Sequence, residues 1–229
     1  MTLNKTKGDM YDWITHTWNP IRGKCQFDCE YCSIKVIAKR YNQEQKPIHL
    51  EQKELSLNLG KDNKIFVGSS VDMFAYNVPS DWIELVLKHC NKYDNQYIFQ
   101  TKNPRRFLEF VKLFPKNVLL GTTVETDDYE RLSKISKATT PFNRCFYLNQ
   151  LSDFKTFITI EPIIKFLSVN KFAQILKLAN PSFINIGADS KNSGLVEPNR
   201  EELLALIEEI KLFTKINKKS NLDRIIQPM

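Results

Sequence analysis

Two kinds of segment alternate along the chain. The first kind is short and rich in apolar, β-branched and aromatic residues: WITHTW (13–18), IFVGSS (65–70), YIFQT (97–101), NVLLGTT (117–123), FITIEP (157–162) and FINIGA (183–188). Runs of that length and composition predict strands. The second kind repeats its apolar positions every three to four residues, the spacing of one helix face. These segments are SIKVIAKRY (33–41), SDWIELVLKHC (80–90), NPRRFLEFVKLF (103–114), DDYERLSKI (127–135), SVNKFAQILKLA (168–179) and PNREELLALIEEIKLF (198–213). Ser80 is placed to cap the second helix and Asn103 the third, where Pro104 occupies a favoured first-turn position. Residues 141–154 fit neither pattern clearly, and 42–64 reads as a long polar connection with about one helical turn.

Strands that alternate with helices pair in parallel through right-handed crossovers. Six such units are too few to close an eight-stranded barrel, so the expected α/β architecture is a partial (β/α)6 barrel. It would be a curled parallel sheet with outer helices, forming one domain over 1–229 with its core at about 11–215. Chemistry in curled sheets gathers at the C-terminal ends of the strands. Those ends are polar here: Ser69, Ser70 and Asp72; Thr101 and Lys102; Thr122, Thr123 and Glu125; Glu161; Asp189.

Hydrophobic residues make up 42% of the chain, enough for a substantial core. No apolar run approaches the ~20 residues of a membrane span, and the N-terminus lacks a signal-peptide core. The expectation is a cytoplasmic protein with no membrane partner. The net charge of +7 favours a polyanion such as nucleic acid or a nucleotide. The abundance of Lys, Asn and Ile throughout would give the same figure through composition alone.

Five cysteines, three of them within eight residues in GKCQFDCEYCSIK (23–35), do not form a secreted disulfide framework. Thiolates at such spacing hold zinc or iron–sulfur clusters. A structural zinc needs a fourth protein ligand. His16 and His49 are the nearby candidates, and neither sits in a ligand-pair spacing. A four-iron cluster held by three cysteines leaves one iron open for a substrate or cofactor.

The pattern C-x3-C-x2-C at Cys25, Cys29 and Cys32, with Phe27 two residues after the first and Tyr31 before the last, resembles the signature of the radical S-adenosylmethionine superfamily. TWNPIRGKC, FVGSSVDMF, FQTKNPRRF, GTTVE and ITIEP narrow the likeness to a phage-associated subgroup, over residues 13 to 190. The resemblance implies a 4Fe–4S cluster on Cys25, Cys29 and Cys32, whose open iron chelates the amine and carboxylate of S-adenosyl-L-methionine. An electron cleaves the sulfonium bond, and the resulting 5′-deoxyadenosyl radical abstracts hydrogen from substrate. It also implies an electron donor of flavodoxin or ferredoxin type. DNA base modification or repair fits the charge. A glycyl-radical activase, a small-metabolite enzyme and a non-catalytic metal-binding nucleic-acid protein are the alternatives.

Members of this superfamily carry a Gly-Gly-Glu-type motif after strand two that contacts the cofactor's amine. Here Gly68-Ser69-Ser70-Val71-Asp72 stands instead, with Ser69, Ser70 or Asp72 able to accept from an ammonium. Thr101 lies at the next strand end. Glu125, or Thr122 and Thr123, would meet the ribose or the ammonium. Glu161, in an apolar run, needs a partner: an ion pair with Lys102 or Arg105, or a catalytic role. Asp189 would serve substrate or cofactor, or simply solvate its loop. Lys102, Arg105 and Arg106 cluster in TKNPRR, where cations oppose the helix dipole; they point to an anion of the substrate, a phosphate or a carboxylate, with a solvated face as the alternative. Trp18 more readily packs on the barrel than on a base. Cys90 reads as core. Cys145 is a candidate hydrogen-atom donor that quenches a product radical, a role a lone cysteine plays in one member of the superfamily; a buried structural thiol is the alternative.

Overall fold

The computed structural model describes residues 3–6 and 10–227. In chain order its elements are β1 (Asn4–Lys5), β2 (His16–Trp18), β3 (Ile21–Arg22), α1 (Ser33–Arg40), β4 (His49–Leu50), β5 (Lys64–Val67), α2 (Ser80–Cys90), β6 (Gln96–Thr101), β7 (Val118–Thr123), α3 (Tyr129–Ile135), α4 (Pro141–Asn149), β8 (Lys155–Ile160), α5 (Val169–Leu178), β9 (Phe183–Ile186), α6 (Arg200–Lys211), β10 (Lys215–Lys218) and α7 (Asp223–Ile226). Eight strands form one sheet in the order β1-β2-β5-β6-β7-β8-β9-β10, and β3 pairs with β4 apart from it. Every pairing from β2 to β10 is parallel, and only β1 joins antiparallel. The two end strands do not pair, so the curled sheet stays an open barrel.

The six predicted strands are β2 and β5 to β9. A seventh parallel strand, β10, was not expected. Its sequence, KINK, has one apolar residue and mostly exposed positions, so it carries no strand pattern and owes its conformation to pairing with β9. The ambiguous stretch 141–154 contains α4, and the polar connection 42–64 contains β4 and a 3-10 turn over Gln52–Ser56. The predicted helix over 103–114 is a 3-10 run, Pro104–Phe110. Side chains three apart eclipse in that geometry, and Phe107 and Phe110 both pack against Phe74, with ring centroids at 4.6 and 6.0 Å. Ser80 is not a cap: Pro79 precedes α2, and the Ser80 hydroxyl accepts from Arg106 at 3.1 Å.

The main core lies between the sheet and its helices. Val67, Phe99, Leu120, Ile158 and Ile186 face Ile83, Phe107, Leu148, Leu176 and Ile207 there, all buried. The alternate strand positions point into the barrel, as the two-residue period requires. At the N-terminal end they are apolar: Phe66, Ile98, Leu119 and Phe157, plugged by Tyr11, Trp13 and Phe183. One step towards the C-terminal end they turn polar and bond to each other. Gln100 Nε2 donates to Thr123 Oγ1 at 2.9 Å, the Tyr11 hydroxyl meets Thr159 Oγ1 at 2.6 Å, and Asn217 Nδ2 donates to Asn185 Oδ1 at 3.0 Å. The sheet therefore closes its bottom with rings and opens upward onto a hydrogen-bonded floor.

Gly121 makes the apolar layer possible. A Cβ there would stand 2.3 Å from the Phe157 ring, which lies across β7. Gly121→Ala should lower stability by about 1–3 kcal/mol, the usual cost of overpacking. Phe157→Leu in the same chain should recover part of that loss, read from urea midpoints. Simple additivity of the two substitutions would show that this contact does not limit the packing.

Candidate functional site

Above the floor lies a cavity of about 1380 Å³. Cys25, Cys29 and Cys32 all line it, from the loop between β3 and α1, together with Ser69, Ser70 and Asp72 after β5. All three thiols are free, with Cys25 and Cys32 half-buried and Cys29 buried. Burial, with Asp72 nearby, pushes the Cys25 thiol up to about 11. Thiolates there call for a soft cationic partner. Among the described residues no three His, Cys, Asp or Glu side chains are grouped to hold a single metal ion. A cube with its metals at separate corners asks for thiolates spread around it. Cys32 is also the residue before α1, and its side chain makes no cap hydrogen bond, so it is available as a ligand.

The rim beside these cysteines is organised by Asn19, from the TWNPIRGKC stretch. Its side chain exchanges hydrogen bonds with Ser69 Oγ at 3.0 and 3.1 Å and accepts from the Ser70 amide at 2.9 Å. Ser70 Oγ is buried and has no partner among the described residues. An unmatched hydroxyl on a cavity wall is what an incoming ammonium or hydroxyl would satisfy. Asp72 is engaged differently. Its carboxylate accepts from Thr101 Oγ1 at 2.7 Å and from the amides of Lys102 and Phe74 at 2.7 and 3.0 Å, while burial raises its pKa. Asp72 and Thr101 thus fix the turns after β5 and β6.

Glu125 is fully buried and away from the cavity wall. It accepts from the Tyr31 hydroxyl at 2.5 Å and pairs with Arg144 at 2.7 Å and Lys102 at 3.2 Å. Burial alone would raise its carboxyl, but Arg144, Lys102 and Tyr31 outweigh that and hold it at about 2. Lys102 Nζ also lies over the Tyr31 ring at 5.3 Å. This network ties the cysteine loop to β6, β7 and α4, and it engages Glu125, expected to meet the ribose or the ammonium, with Tyr31, Arg144 and Lys102 instead. Arg144 lay in the ambiguous stretch; a single cation among apolar helix positions was the available signal. Thr122 points away from the cavity and donates to the Thr101 carbonyl at 2.7 Å, while its neighbour Thr123 faces inward, as strand alternation dictates.

The TKNPRR cations do not converge. Lys102 serves Glu125. Arg106 is buried, donating to the Ala75 carbonyl and to Ser80. Arg105 alone is exposed, its guanidinium 5.8 Å over the Tyr147 ring. Glu161 does line the cavity, and it pairs with Lys219 at 2.9 Å, the residue just after the unforeseen strand β10, rather than with Lys102 or Arg105. Asp189 also reaches the cavity, and it organises its own loop through the Lys191 amide at 3.0 Å and the Ser193 hydroxyl at 3.3 Å. Cys145 is fully buried in the main core and burial pushes its thiol up to about 12; it does not reach the cavity and is set aside as hydrogen donor. Cys90 is core, as expected, and Trp18 packs against His89. Among the described residues no helix is long and apolar enough to cross a membrane.

Residues 9–190 match the model of the family described as Protein of unknown function (DUF5131). No curated protein matches the chain in sequence. Spore photoproduct lyase complexed with dinucleoside spore photoproduct has a TM-score of 0.66 at 10% identity, covering 95% of this chain and 79% of the lyase. A mutant of that lyase with bound AdoMet and the dinucleoside gives 0.57 at 10% identity, covering 89% and 63%. Streptococcus suis SuiB bound to S-adenosylmethionine gives 0.56 at 12% identity, covering 93% of this chain and 52% of SuiB. At these identities the likeness is one of fold: the chain shares the partial barrel of these proteins.

Breaking the buried network should cost about 3–5 kcal/mol, since it strands a charge in the core. Glu125→Gln should therefore unfold at clearly lower urea at pH 7. The depressed carboxyl stabilises the fold above its ordinary value near 4.5, and that contribution is lost as pH falls towards about 2. The gap between wild type and variant should then narrow over that window; a constant gap would contradict the assignment.

Proposed function

The chain belongs to the DUF5131 family, and we propose that it is a radical S-adenosylmethionine enzyme acting on nucleic acid or a nucleotide. The observation that carries the chemistry is the convergence of Cys25, Cys29 and Cys32 on one wall of a large cavity at the C-terminal end of a partial barrel. The residues fit a 4Fe–4S cluster and S-adenosylmethionine: three free thiols line the cavity, and Ser70, whose hydroxyl has no partner among the described residues, lines it with them. When bound, those groups supply a reducing electron and a 5′-deoxyadenosyl radical for hydrogen abstraction.

The chain's own residues hold and shield this chemistry. Tyr31, pinned by Glu125, sets the cysteine loop against the strand ends. Asn19 orients Ser69 and leaves the Ser70 hydroxyl for the cofactor's amine. The aromatic plug at the barrel bottom keeps bulk water from that side. Glu161 and Lys219 line the same cavity as an ion pair and offer charges to a polar substrate. The cavity exceeds the range of about 300–1,000 Å³ that a single small ligand occupies, leaving room for cofactor and a piece of substrate. The nucleic-acid reading rests on the +7 charge and on the lyase bound to a dinucleoside having the same fold. Electrons would come from a carrier of flavodoxin or ferredoxin type.

After anaerobic reconstitution, the protein should carry iron and sulfide in equal amounts. With reductant and S-adenosylmethionine it should then release 5′-deoxyadenosine. Cys29→Ala should release none while keeping its far-UV dichroism. Bound zinc, or full cluster loading without 5′-deoxyadenosine, would reject the enzyme.

A further inference from the structure

The segment that leaves α3 lies against the cysteine loop as an extended clasp. The Glu30 amide donates to the Ile135 carbonyl at 2.9 Å, and the Lys137 amide donates to the Phe27 carbonyl at 2.7 Å. These two backbone bonds enclose Asp28 and Cys29 on one side and Ser136 on the other. Cys29 and Ser136 are therefore brought together by backbone register rather than by the reach of flexible side chains. Ser136 has extended backbone angles and closes α3, its amide donating to the Leu132 carbonyl at 2.9 Å. Leu132 is buried in the main core, so the clasp is anchored in the body of the fold.

Within this clasp Cys29 Sγ and Ser136 Oγ are 3.1 Å apart, and the two residues are only 8% and 5% exposed. The direction of the bond follows from the chemistry. A cysteine binds metal as a thiolate and then has no proton to give. The Ser136 oxygen already accepts from the Ala138 amide at 3.3 Å, which leaves its own hydrogen for the sulfur. Among the described residues neither Cys25 nor Cys32 has a side-chain hydrogen bond to its sulfur, so this contact singles out one of the three ligands.

We propose that Ser136 is a positioning residue that donates a hydrogen bond to the Cys29 sulfur in the loaded enzyme and so raises the reduction potential of the cluster. The physical basis is charge. Reduction brings in one electron from the external carrier, with no bond broken and no proton taken up, and the ligand sulfurs share the added negative charge. A donor fixed at the sulfur stabilises the more negative form more than the oxidised one. Burial strengthens the effect, because no water competes for the sulfur. This rests on the cluster reading of the three cysteines, but it assigns a role to a residue outside both the motif and the cavity wall. The rival role for the hydroxyl is purely structural, as the acceptor that holds the Ala138 amide.

The test is a redox titration of the anaerobically reconstituted full chain without S-adenosylmethionine, followed by the electron paramagnetic resonance of the reduced form. Two pairs isolate the hydroxyl: wild type against Ser136→Ala, and Ser136→Thr against Ser136→Val, which match in shape. In each pair, loss of the hydroxyl should lower the ratio of reduced to oxidised protein at a fixed solution potential about threefold to tenfold, tenfold being ~59 mV for one electron. Ser136→Thr should titrate closer to wild type than to Ser136→Ala. Equal or raised midpoints on loss of the hydroxyl, at full iron loading, would overturn the proposal and leave the cluster reading standing. Iron lost from the alanine and valine variants but kept by the threonine variant would support the bond to sulfur. Iron lost from all three would make Ser136 a packing residue and overturn it. A wild type that takes up no iron and sulfide would overturn the cluster reading itself, and this proposal with it.

Discussion

The arrangement depends on one buried carboxylate. Glu125 sits where the cysteine loop, the ends of β6 and β7 and the start of α4 meet, and its three partners come from three different elements. A carboxylate without those partners would cost several kcal/mol in such a place. With them, it becomes the point at which a loop with little secondary structure acquires a fixed position. The loop needs that help. Helix α1, which follows it, has no buried residue, and Asp28 within it adopts a left-handed backbone conformation. Long-range ties of the cysteine loop to the rest of the fold include Tyr31 to Glu125, Cys29 Sγ to Ser136 Oγ at 3.1 Å, the Lys137 amide to the Phe27 carbonyl at 2.7 Å and the pairing of Asp28 with Lys137. The tie to Glu125 is the buried one that carries charge.

The barrel interior shows how hydrophobic patterning and chemistry are separated along the same strands. Inward positions are rings and aliphatics at one end, neutral hydrogen-bonding groups in the middle, and ionised side chains only at the rim. Charges therefore face the open cavity, where water or ligand can solvate them, and the middle layer satisfies itself. The arrangement reconciles a polar site with a stable sheet, because most polar groups in the floor find partners among their neighbours.

How much of this was legible in the sequence follows from the range of the interactions involved. Strands β5 to β9 and their helices announce themselves because each is buried on both faces or along a wide stripe, so the pattern is local. Strand β10 is exposed, carries one apolar residue and exists through pairing with β9, and no window of sequence contains that information. The site divides likewise. The cysteines were visible as a motif, and Ser69 and Ser70 as a polar strand end. The partners of Glu125 and Glu161 were not, because Arg144 and Lys219 lie 19 and 58 residues away from them. Cations were read from their proximity in TKNPRR, yet the 3-10 turn after Asn103 sends Lys102 inward, Arg106 under Ala75 and Arg105 to solvent. Adjacent charges in sequence need not share a face.

Helix α4 joins these threads. Its inner face delivers Arg144 to the carboxylate that fixes the cysteine loop, and its outer face presents the paired rings of Phe142 and Phe146. The helix is nine residues long, and an arginine with no exposed surface anchors its middle. The helix and the segment just before it hold the cysteine loop at several points: Arg144 through Glu125 and Tyr31, Ser136 through Cys29, and the Lys137 amide through the Phe27 carbonyl.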